Sequence, residues 1–370
     1  MEAMSAELEA LGGGDARLAD AHVCCLCAPP PDGVTPTVVR RNGKVVVTDC
    51  RAPGAEDRGP RRYSIPNFLE AGSDGRDVSR CLGQNVMAWL LEGFNATIVA
   101  FGQSGTGKTR ALLGSPNSLL AWILQSLFRR ASVGESMTIA LSLWEVFRDQ
   151  VVDLIGEDQW SGRQVPCAGT GSWPPSIPLG AAGFKSVLVN SFEEALRVIL
   201  MTRIRSRNWR WEARESRWVG LLNRSHAFVR VSIFGEASGR LSVLHLVDLA
   251  GSRSLSAQGP SACYSYPDTL GEEEREKRLL SKQFLAINRI ISSLSQKDSN
   301  RSADYMVSGR EFNITRMLAP ILAGNSKVYL LATVSSDPEH FLDTVNTLRI
   351  ATRAQSIKVG GQRTLQMGET

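Results

Sequence analysis

The stretch Ala96-Thr-Ile-Val-Ala-Phe-Gly-Gln-Ser-Gly-Thr-Gly-Lys-Thr109 decides the fold of this 370-residue chain. Its first half is a short apolar run rich in β-branched residues, which is typical of a buried central strand. Its second half, Gly102–Thr109, fits the pattern G-x-x-x-x-G-K-[ST] of a phosphate-binding loop. A helical pattern follows from about Lys108. A strand, a glycine-rich loop and a helix in this order predict an α/β fold of the P-loop NTPase type.

Each part of this loop has a chemical role in the prediction. Small residues let backbone N–H groups curl around phosphate oxygens, and the helix N-terminus adds partial positive charge. Lys108 places a charge on the β and γ phosphates, and the Thr109 hydroxyl is a Mg²⁺ ligand. A chance glycine-rich turn is the alternative, and the flanking strand and helix argue against it. The predicted nucleotide-binding residues of the loop are Gly102, Gln103, Ser104, Gly105, Thr106, Gly107, Lys108 and Thr109.

A second motif completes the predicted phosphate site. Leu244-His-Leu-Val-Asp248-Leu-Ala-Gly251 is an apolar strand that ends in Asp-x-x-Gly. An acidic residue at the carboxyl end of a strand can hold the water shell of Mg²⁺, and the glycine lets a backbone N–H reach the γ phosphate. Asp248 alone would indicate a strand-end turn. Together with the P-loop it predicts a metal site at Thr109 and Asp248, with Lys108, Asp248 and Gly251 as catalytic residues.

Strand and helix patterns alternate along the rest of the chain. Asn42-Gly43 between two alternating runs is a hairpin signal. This alternation predicts a central mixed, mostly parallel sheet with helices on both faces. The predicted strands are 23–27, 37–40, 44–48, 96–101, 137–147, 151–155, 227–234, 241–247 and 328–334. The predicted helices are 77–92, 192–202, 272–294, 314–322 and 340–357, and the predicted loops are 52–62 and 157–182.

Net charge and cysteine content indicate the kind of partner and the cellular setting of this chain. The net charge is +5 and the sequence pI about 8.9, which suits an acidic partner but proves none. Seven cysteines without a signal peptide predict a reducing, intracellular setting. Cys24 and Cys27 form a C-x-x-C without a second pair, which favours buried thiols over zinc. No apolar stretch approaches the roughly 20 residues of a membrane span. The sequence has no heptad array, so no coiled coil is predicted.

Several ordered blocks resemble the kinesin motor domain family. They span about residues 22–357, nearly the whole chain. Glu92–Thr109 is close to the family's "GxNATxxAYGQTGxGKT", and Leu143–Ile155 resembles its "xxEIYNExxxDLL". Asn223–His226 resembles the end of the switch I motif "NxxSSRSH", Val247–Ser252 matches switch II "VDLAGSE" without its last residue, and Leu279–Leu294 resembles the following helix with its "NINKSL". Near the end of the chain, Gly324–Lys327 matches "GGNSKT" and Asp343–Ala354 matches "ETLSTLRFAxRA".

The resemblance implies one motor domain at residues 21–358, with a flexible lead-in at 1–20 and a neck-linker-like tail at 359–370. It implies ATP and Mg²⁺ as cofactors, microtubule-stimulated ATP hydrolysis, microtubule-based movement, and a location in the cytoplasm on the microtubule cytoskeleton. We expect microtubules as partner, no nucleic acid, no membrane, and a monomeric or partner-dependent state. A GTPase is the rival P-loop interpretation, but the chain has no Asn-Lys-x-Asp guanine motif.

The resemblance also assigns residues outside the P-loop. Arg224 of the switch I motif joins the catalytic set. Asn223, Ser225 and Pro29 are expected at the nucleotide. The residues expected to contact the microtubule are Lys282, Arg289, Arg310 and Arg316.

Some positions depart from the family pattern. Switch II has Arg253 where the family has a glutamate that pairs with the switch I arginine, and like charges repel. Leu222 and Asn223 replace two serines, Asn313 replaces a lysine, and Glu272–Glu274 make the loop before the long helix acidic. The alternative function is therefore a non-motile module that binds nucleotide and microtubules, or a protein partner, with impaired hydrolysis. An inactive paralogue kept for partner binding alone is the third hypothesis.

Overall fold

The computed structural model describes residues 19–51, 59–114, 116–155, 184–212, 225–236, 238–251, 272–295 and 310–359. The strands are β1 (Ala19–Asp20), β2 (His22–Ala28), β3 (Val38–Arg41), β4 (Lys44–Val47), β5 (Arg61–Tyr63), β6 (Asn67–Leu69), β7 (Ala96–Gly102), β8 (Met137–Phe147), β9 (Gln150–Asp153), β10 (Val187–Val189), β11 (His226–Gly235), β12 (Arg240–Asp248), β13 (Lys327–Ser335) and β14 (Lys358–Val359). The α-helices are α1 (Gly75–Val78), α2 (Gln84–Leu91), α3 (Leu119–Ser132), α4 (Phe192–Glu212), α5 (Glu272–Ser295), α6 (Asn313–Ala323) and α7 (Phe341–Ala354).

A nine-stranded mixed sheet forms the centre of the fold. Its order is β10-β8-β11-β12-β7-β13-β2-β6, with β9 paired to β8. The neighbours from β12 to β6 are parallel, and those from β10 to β12 are antiparallel. The carboxyl ends of β12, β7, β13 and β2 therefore share one edge, where ligands bind in open α/β sheets.

The central strand β7 is buried along its whole length. Val99 and Phe101 face a core cluster that includes residues of α5, α6 and α7, whereas Ile98 and Ala100 face a second cluster that includes residues of α2, α3 and α4. Helices thus cover both faces of the sheet, as the alternating pattern predicts. The predicted fold class is confirmed.

Asn95 fixes the start of β7 against both neighbouring strands. Its side-chain oxygen accepts the Val243 N–H of β12 at 2.9 Å, and its backbone oxygen accepts the Lys327 N–H of β13 at 2.8 Å. Its amide also donates to the Asn325 backbone oxygen at 3.2 Å. Asn95 therefore sets the register of the three strands that carry the predicted site.

The structure confirms most predicted elements and corrects a few. The hairpin turns at Asn42 and Gly43, whose φ values are 50° and 72°, as a type I′ turn requires. Part of the predicted loop 52–62 is wrong, because β5 pairs with the hairpin strand β4. The last predicted helix, 340–357, is shorter in the structure and ends at Ala354, and β14 follows it and pairs with β1.

Two regular segments are π-helical turns, Ser79–Gly83 between α1 and α2, and Arg110–Gly114 after the P-loop. The predicted loop 157–182 lies outside the described residues. None of the described helices combines the length and the apolar character needed to cross a membrane.

Candidate functional site

The phosphate-binding motif lies at the carboxyl edge of the sheet. The loop Gly102–Thr109 follows β7, and Asp248 ends the adjacent parallel strand β12, with Asp248 in register with Ala100. Two motifs that are far apart in the sequence therefore meet in space. The convergence follows from parallel pairing, because strands that run side by side end side by side.

Backbone geometry fixes the shape of the loop. Gly102, Gly105 and Gly107 have φ values of 133°, 86° and 92°, which side-chain-bearing residues rarely adopt. A Cβ on Gly102 would lie 2.0 Å from the Thr333 carbonyl oxygen. The Thr106 hydroxyl hydrogen-bonds to the Gln103 carbonyl at 2.7 Å and to the Thr333 hydroxyl at 2.6 Å. The loop is thus anchored to the end of β13.

Lys108 is enclosed by this loop. The residue is 5% exposed, and Nζ donates to the carbonyl oxygens of Gly102 at 3.0 Å and Gln103 at 2.6 Å. Burial lowers the pKa of Lys108 to about 8, while the nearby Asp248 carboxylate acts in the opposite direction. A buried ammonium group surrounded by backbone carbonyls and glycines suits a phosphate, which would supply the full negative charge that carbonyls lack.

The Thr109 hydroxyl donates a short hydrogen bond to Oδ2 of Asp248. Oδ1 of Asp248 is buried and has no hydrogen-bond partner among the described residues. Burial raises the pKa of Asp248 to about 6, and the Thr109 hydrogen bond and the positive charges of Lys108 and Arg203 oppose that rise. A hydroxyl and a carboxylate with an unused oxygen are donors that suit Mg²⁺, which keeps several waters of its own.

Gly251 brings the second motif against the loop. A Cβ at this position would lie 2.4 Å from the Cα of Ser104, so the two backbones approach as closely as only glycine permits. Of the residues predicted for phosphate and metal, the structure therefore brings together Gly102–Thr109, Asp248 and Gly251.

A hydrogen-bonded relay runs from this site to helix α5. The Ala250 N–H donates to Nδ1 of His226 at 3.1 Å, and Nε2 of His226 lies 3.2 Å from Oε1 of Gln283. Since Nδ1 accepts, Nε2 carries the proton and donates to Gln283. Burial lowers the pKa of His226 to about 4, so the ring is neutral at physiological pH.

The relay ends at a tight turn between β8 and β9. The Gln283 amide donates to Oδ1 of Asp149 at 3.4 Å, and the Asn313 N–H donates to the same oxygen at 2.8 Å. Arg148 and Asp149 have φ values of 49° and 62°, the unfavourable region for residues with side chains. Nε of Arg148 contacts Oε1 of the buried Glu276 at 2.7 Å. The turn is therefore bound to both α5 and α6 through its side chains.

The predicted basic contacts lie on or beside these two helices. Lys282, Arg289, Arg310 and Arg316 are all exposed. Arg289 pairs with Glu311 at 3.3 Å, and Arg316 donates to the Arg310 carbonyl at 3.2 Å. The structure brings the four cations to one pair of packed helices, α5 and α6. The charge of Arg289 is partly neutralised by Glu311.

Other predicted residues stay predictions. Arg224 and Asn223 lie outside the described residues, as do Leu222 and Arg253. Ser225 is buried, and its hydroxyl donates to Oε2 of Glu145 at 2.9 Å. Pro29 is exposed directly after β2, at the carboxyl edge that carries the P-loop.

Sequence reasoning did not identify several residues of the site. Thr333 could have been found, because it lies near the carboxyl end of a predicted parallel strand. Arg203, whose charge acts on Asp248, lies on a helix with no motif around it. Gln283 and Asp149 have no local signal, since their roles depend on contacts between distant segments.

Comparisons with known proteins agree with this geometry. Residues 41–357 match the kinesin motor domain. Human kinesin-like protein KIF13B is 28% identical over 309 residues, which cover 80% of this chain and 16% of that protein. Kinesin-like protein tea2 of Schizosaccharomyces pombe is 28% identical over 308 residues, which cover 80% of this chain and 45% of that protein. This chain thus corresponds to less than half of the length of either relative.

A solved structure of a KIF14 dimer, with AMP-PNP and in complex with a microtubule, superposes with a TM-score of 0.72 at 20% identity, covering 95% of this chain and 98% of that one. This likeness supports the fold. Because the matched region of the family spans most of the sequence, the chain belongs to the kinesin motor domain family.

Proposed function

We propose that this chain binds ATP with Mg²⁺ and hydrolyses it as a microtubule motor. One observation carries the proposal: the Thr109 hydroxyl and the Asp248 carboxylate meet beside the buried Lys108. This contact joins two residues that are 139 positions apart in the sequence into the proposed phosphate and metal site. Membership of the kinesin family and the AMP-PNP named for the KIF14 structure favour an adenine nucleotide.

Each residue of the site has a defined task in this proposal. Backbone N–H groups of Gly102–Thr109 bind phosphate oxygens, and Lys108 exchanges its carbonyl partners for the β and γ phosphates. Thr109 and Asp248 would hold Mg²⁺, which neutralises phosphate charge when bound. Gly251, whose backbone lies against Ser104, is placed to donate its N–H towards the γ phosphate. Arg224 is proposed to complete the catalytic set.

The proposed partner surface lies on α5 and α6. Lys282, Arg289, Arg310 and Arg316 are exposed cations on adjacent helices, which suits the acidic surface of tubulin. In this proposal the chain acts in the cytoplasm, on the microtubule cytoskeleton. Because these charges are exposed, the interaction should weaken steeply as salt increases.

A second function is supported by specific residues. Arg253 stands where the family has glutamate, and Asn313 stands where it has lysine. The Asn313 side chain donates to the Asp149 backbone oxygen at 2.6 Å and adds no positive charge to the helix face. These changes favour a non-motile module that binds nucleotide and microtubules but hydrolyses ATP slowly.

Steady-state ATP hydrolysis, with and without stabilised microtubules, tests the proposal. We expect microtubules to stimulate turnover and Lys108→Ala to abolish both nucleotide binding and turnover. Asp248→Asn should weaken nucleotide binding in Mg²⁺ far more than in EDTA, whereas Thr109→Ser, which keeps the hydroxyl, should leave binding nearly unchanged.

The two candidate functions differ in their response to Arg253→Glu. If nucleotide binds but turnover is absent until Arg253→Glu restores it, the non-motile module is correct. Stimulated turnover in the wild-type chain would instead support the motor. Failure of the wild-type chain to bind ATP under any condition would contradict both.

A further inference from the structure

Cys24 and Cys81 place their sulfur atoms 3.9 Å apart. Cys24 is fully buried in β2, whereas Cys81 is partly exposed in the π-helical turn Ser79–Gly83. Side chains alternate along β2, so Cys25 and Cys27 point into the core cluster on the opposite face of the sheet. Among the described cysteines, the alternation therefore selects Cys24 as the partner of Cys81.

The two thiols differ in acidity. The hydrogen bond from Cys24 lowers the pKa of Cys81 to about 7, although partial burial acts in the opposite direction. The same contact is the largest cause that raises the pKa of Cys24 well above the ordinary cysteine value. Burial is the second cause, and the neighbouring Cys25 adds to the rise. Tyr329 is an ionisable group close enough for both thiols to act on it, and burial raises its pKa too. Its hydroxyl accepts a hydrogen bond from the Asn85 amide at 2.9 Å.

At neutral pH, Cys81 therefore has substantial thiolate character beside a thiol that keeps its proton. An accessible thiolate of low pKa with a second thiol in reach is the arrangement of peroxide-sensitive cysteines. The sulfurs must approach from 3.9 Å to about 2.05 Å to bond.

We propose that Cys81 and Cys24 form a hydroperoxide-reactive thiol pair that closes into a disulfide between β2 and the π-helical turn. The Cys81 thiolate attacks a peroxide oxygen, an S–O bond forms, the O–O bond breaks, and the released hydroxide takes a proton to become water. Cys81 is thereby oxidised to a sulfenic acid. The Cys24 thiol then loses its proton and attacks the Cys81 sulfur, and the S–O bond breaks to release a second water.

The overall reaction converts two thiols and one hydrogen peroxide into a disulfide and two waters. The cross-link joins a strand beside β13 to the segment α1–α2, which leads through Asn95 into β7 and the P-loop. The inference concerns the reactivity of the thiols and does not rest on the proposed nucleotide chemistry.

Hydrogen peroxide treatment of the full chain, followed by alkylation and non-reducing peptide mapping, tests the proposal. We expect a linked pair of peptides containing Cys24 and Cys81, lighter than the sum of the reduced peptides by a pair of hydrogens, and separated again by a reductant. Cys50→Ser is the matched control, because Cys50 is exposed and its sulfur contacts the Thr48 carbonyl at 4.0 Å. The linked peptides should form unchanged in that variant.

Substitution of each cysteine in turn distinguishes the thiol that reacts with peroxide from the thiol that then attacks the sulfenic acid. Cys81→Ser should abolish the linked peptide. Cys24→Ser should instead leave a sulfenic acid on Cys81 that dimedone traps, a product that a purely structural role of Cys24 does not predict. Oxidation of the wild-type chain at Cys50, Cys167 or Cys263 while Cys24 and Cys81 stay reduced would overturn the proposal.

A measurement on the wild-type chain alone guards against variants that fold poorly. The rate of iodoacetamide labelling at Cys81 should rise with pH through a midpoint of about 7, because the thiolate is the reactive form. A rate at Cys81 that stays slower than that at Cys50 from neutral to mildly alkaline pH would contradict the proposal.

Discussion

The P-loop edge of the sheet and the α5–α6 face are built in different ways. The P-loop edge depends on backbone, with positive-φ glycines at Gly102, Gly105 and Gly107 and a contact at Gly251 that excludes any side chain. The α5–α6 face depends on side chains that meet from distant segments. The first region is thus specified by short motifs, and the second by contacts between residues of separate segments.

The Asp149 turn illustrates the second kind of region. Its carboxylate accepts hydrogen bonds from Gln283 of α5 and from Asn313 of α6. Each of these residues is unremarkable in its own stretch of sequence. Substitutions on this face should therefore have graded effects that a partner can compensate, whereas substitutions at the P-loop glycines should not be compensated.

Gly102→Ala should have the largest effect. Its Cβ would lie 2.0 Å from the Thr333 carbonyl oxygen, which belongs to backbone and cannot move aside. We expect the free energy of unfolding to fall by at least about 3 kcal/mol, the range of severe core substitutions. Urea unfolding followed by circular dichroism measures the change.

Gly105→Ala is the matched control within the same loop. Its φ is 86°, but nothing lies within 4 Å of its Cβ position. Only conformational strain remains, which costs about 1–2 kcal/mol. Equal losses in the two variants would show that strain rather than the approach to β13 constrains the loop.

The P-loop edge could be predicted from the sequence because its constraints are local. Asn42-Gly43, Gly102–Thr109 and the Asp-x-x-Gly of Asp248 each restrict the backbone within a few residues. Once parallel pairing is assumed, the carboxyl ends of the strands must meet, and the site follows.

Other parts of the fold and of the site could not be predicted, because they depend on contacts between distant segments. Arg61–Tyr63 forms a strand by pairing with β4 although Arg61 and Arg62 are exposed and its apolar pattern is weak. The relay through His226 and Gln283 requires knowledge of which helix packs on which strand. The resemblance to a family supplies the order of the elements, but it does not supply the contacts of Gln283 and Asn313 with Asp149.

Asp149→Ala should have the next largest effect, because it removes the acceptor shared by Asn313 and Gln283. Leaving partly buried donors without an acceptor costs about 1–3 kcal/mol, and we expect a loss near 2 kcal/mol. Asp149→Asn keeps an oxygen acceptor and tolerates the positive φ, so it should lose less than about 1 kcal/mol. Similar losses for both variants, measured by urea unfolding, would show that the hydrogen bonds do not stabilise the turn.

His226 links the two regions and gives a pH-dependent prediction. Its folded-state pKa of about 4 lies below the ordinary value of 6.5, so the unfolded chain binds more protons between these values. Stability from the neutral ring is complete above pH 6.5 and is lost as pH falls towards 4. We expect a loss on the order of 1–2 kcal/mol between pH 7 and pH 5.

His226→Gln should flatten this part of the stability curve, whatever it does to stability at pH 7. Asp248, whose raised pKa acts in the opposite direction, is present in both proteins and cancels in the difference. Parallel curves for the variant and the wild type would mean that His226 does not titrate on unfolding in this range.

Glu311→Gln should have the smallest effect and tests whether the α5–α6 face binds an acidic partner. Glu311 pairs with Arg289 at 3.3 Å on the exposed surface, and both side chains are well exposed. Removing the carboxylate frees Arg289 and adds one unit of net positive charge, so microtubule affinity in low salt should rise about two- to fivefold.

Glu339→Gln makes the same change of charge in the turn after β13, at the P-loop edge. Co-sedimentation with microtubules should show no comparable gain for that control. An equal gain in both variants would mean that net charge alone, and not the α5–α6 face, determines binding.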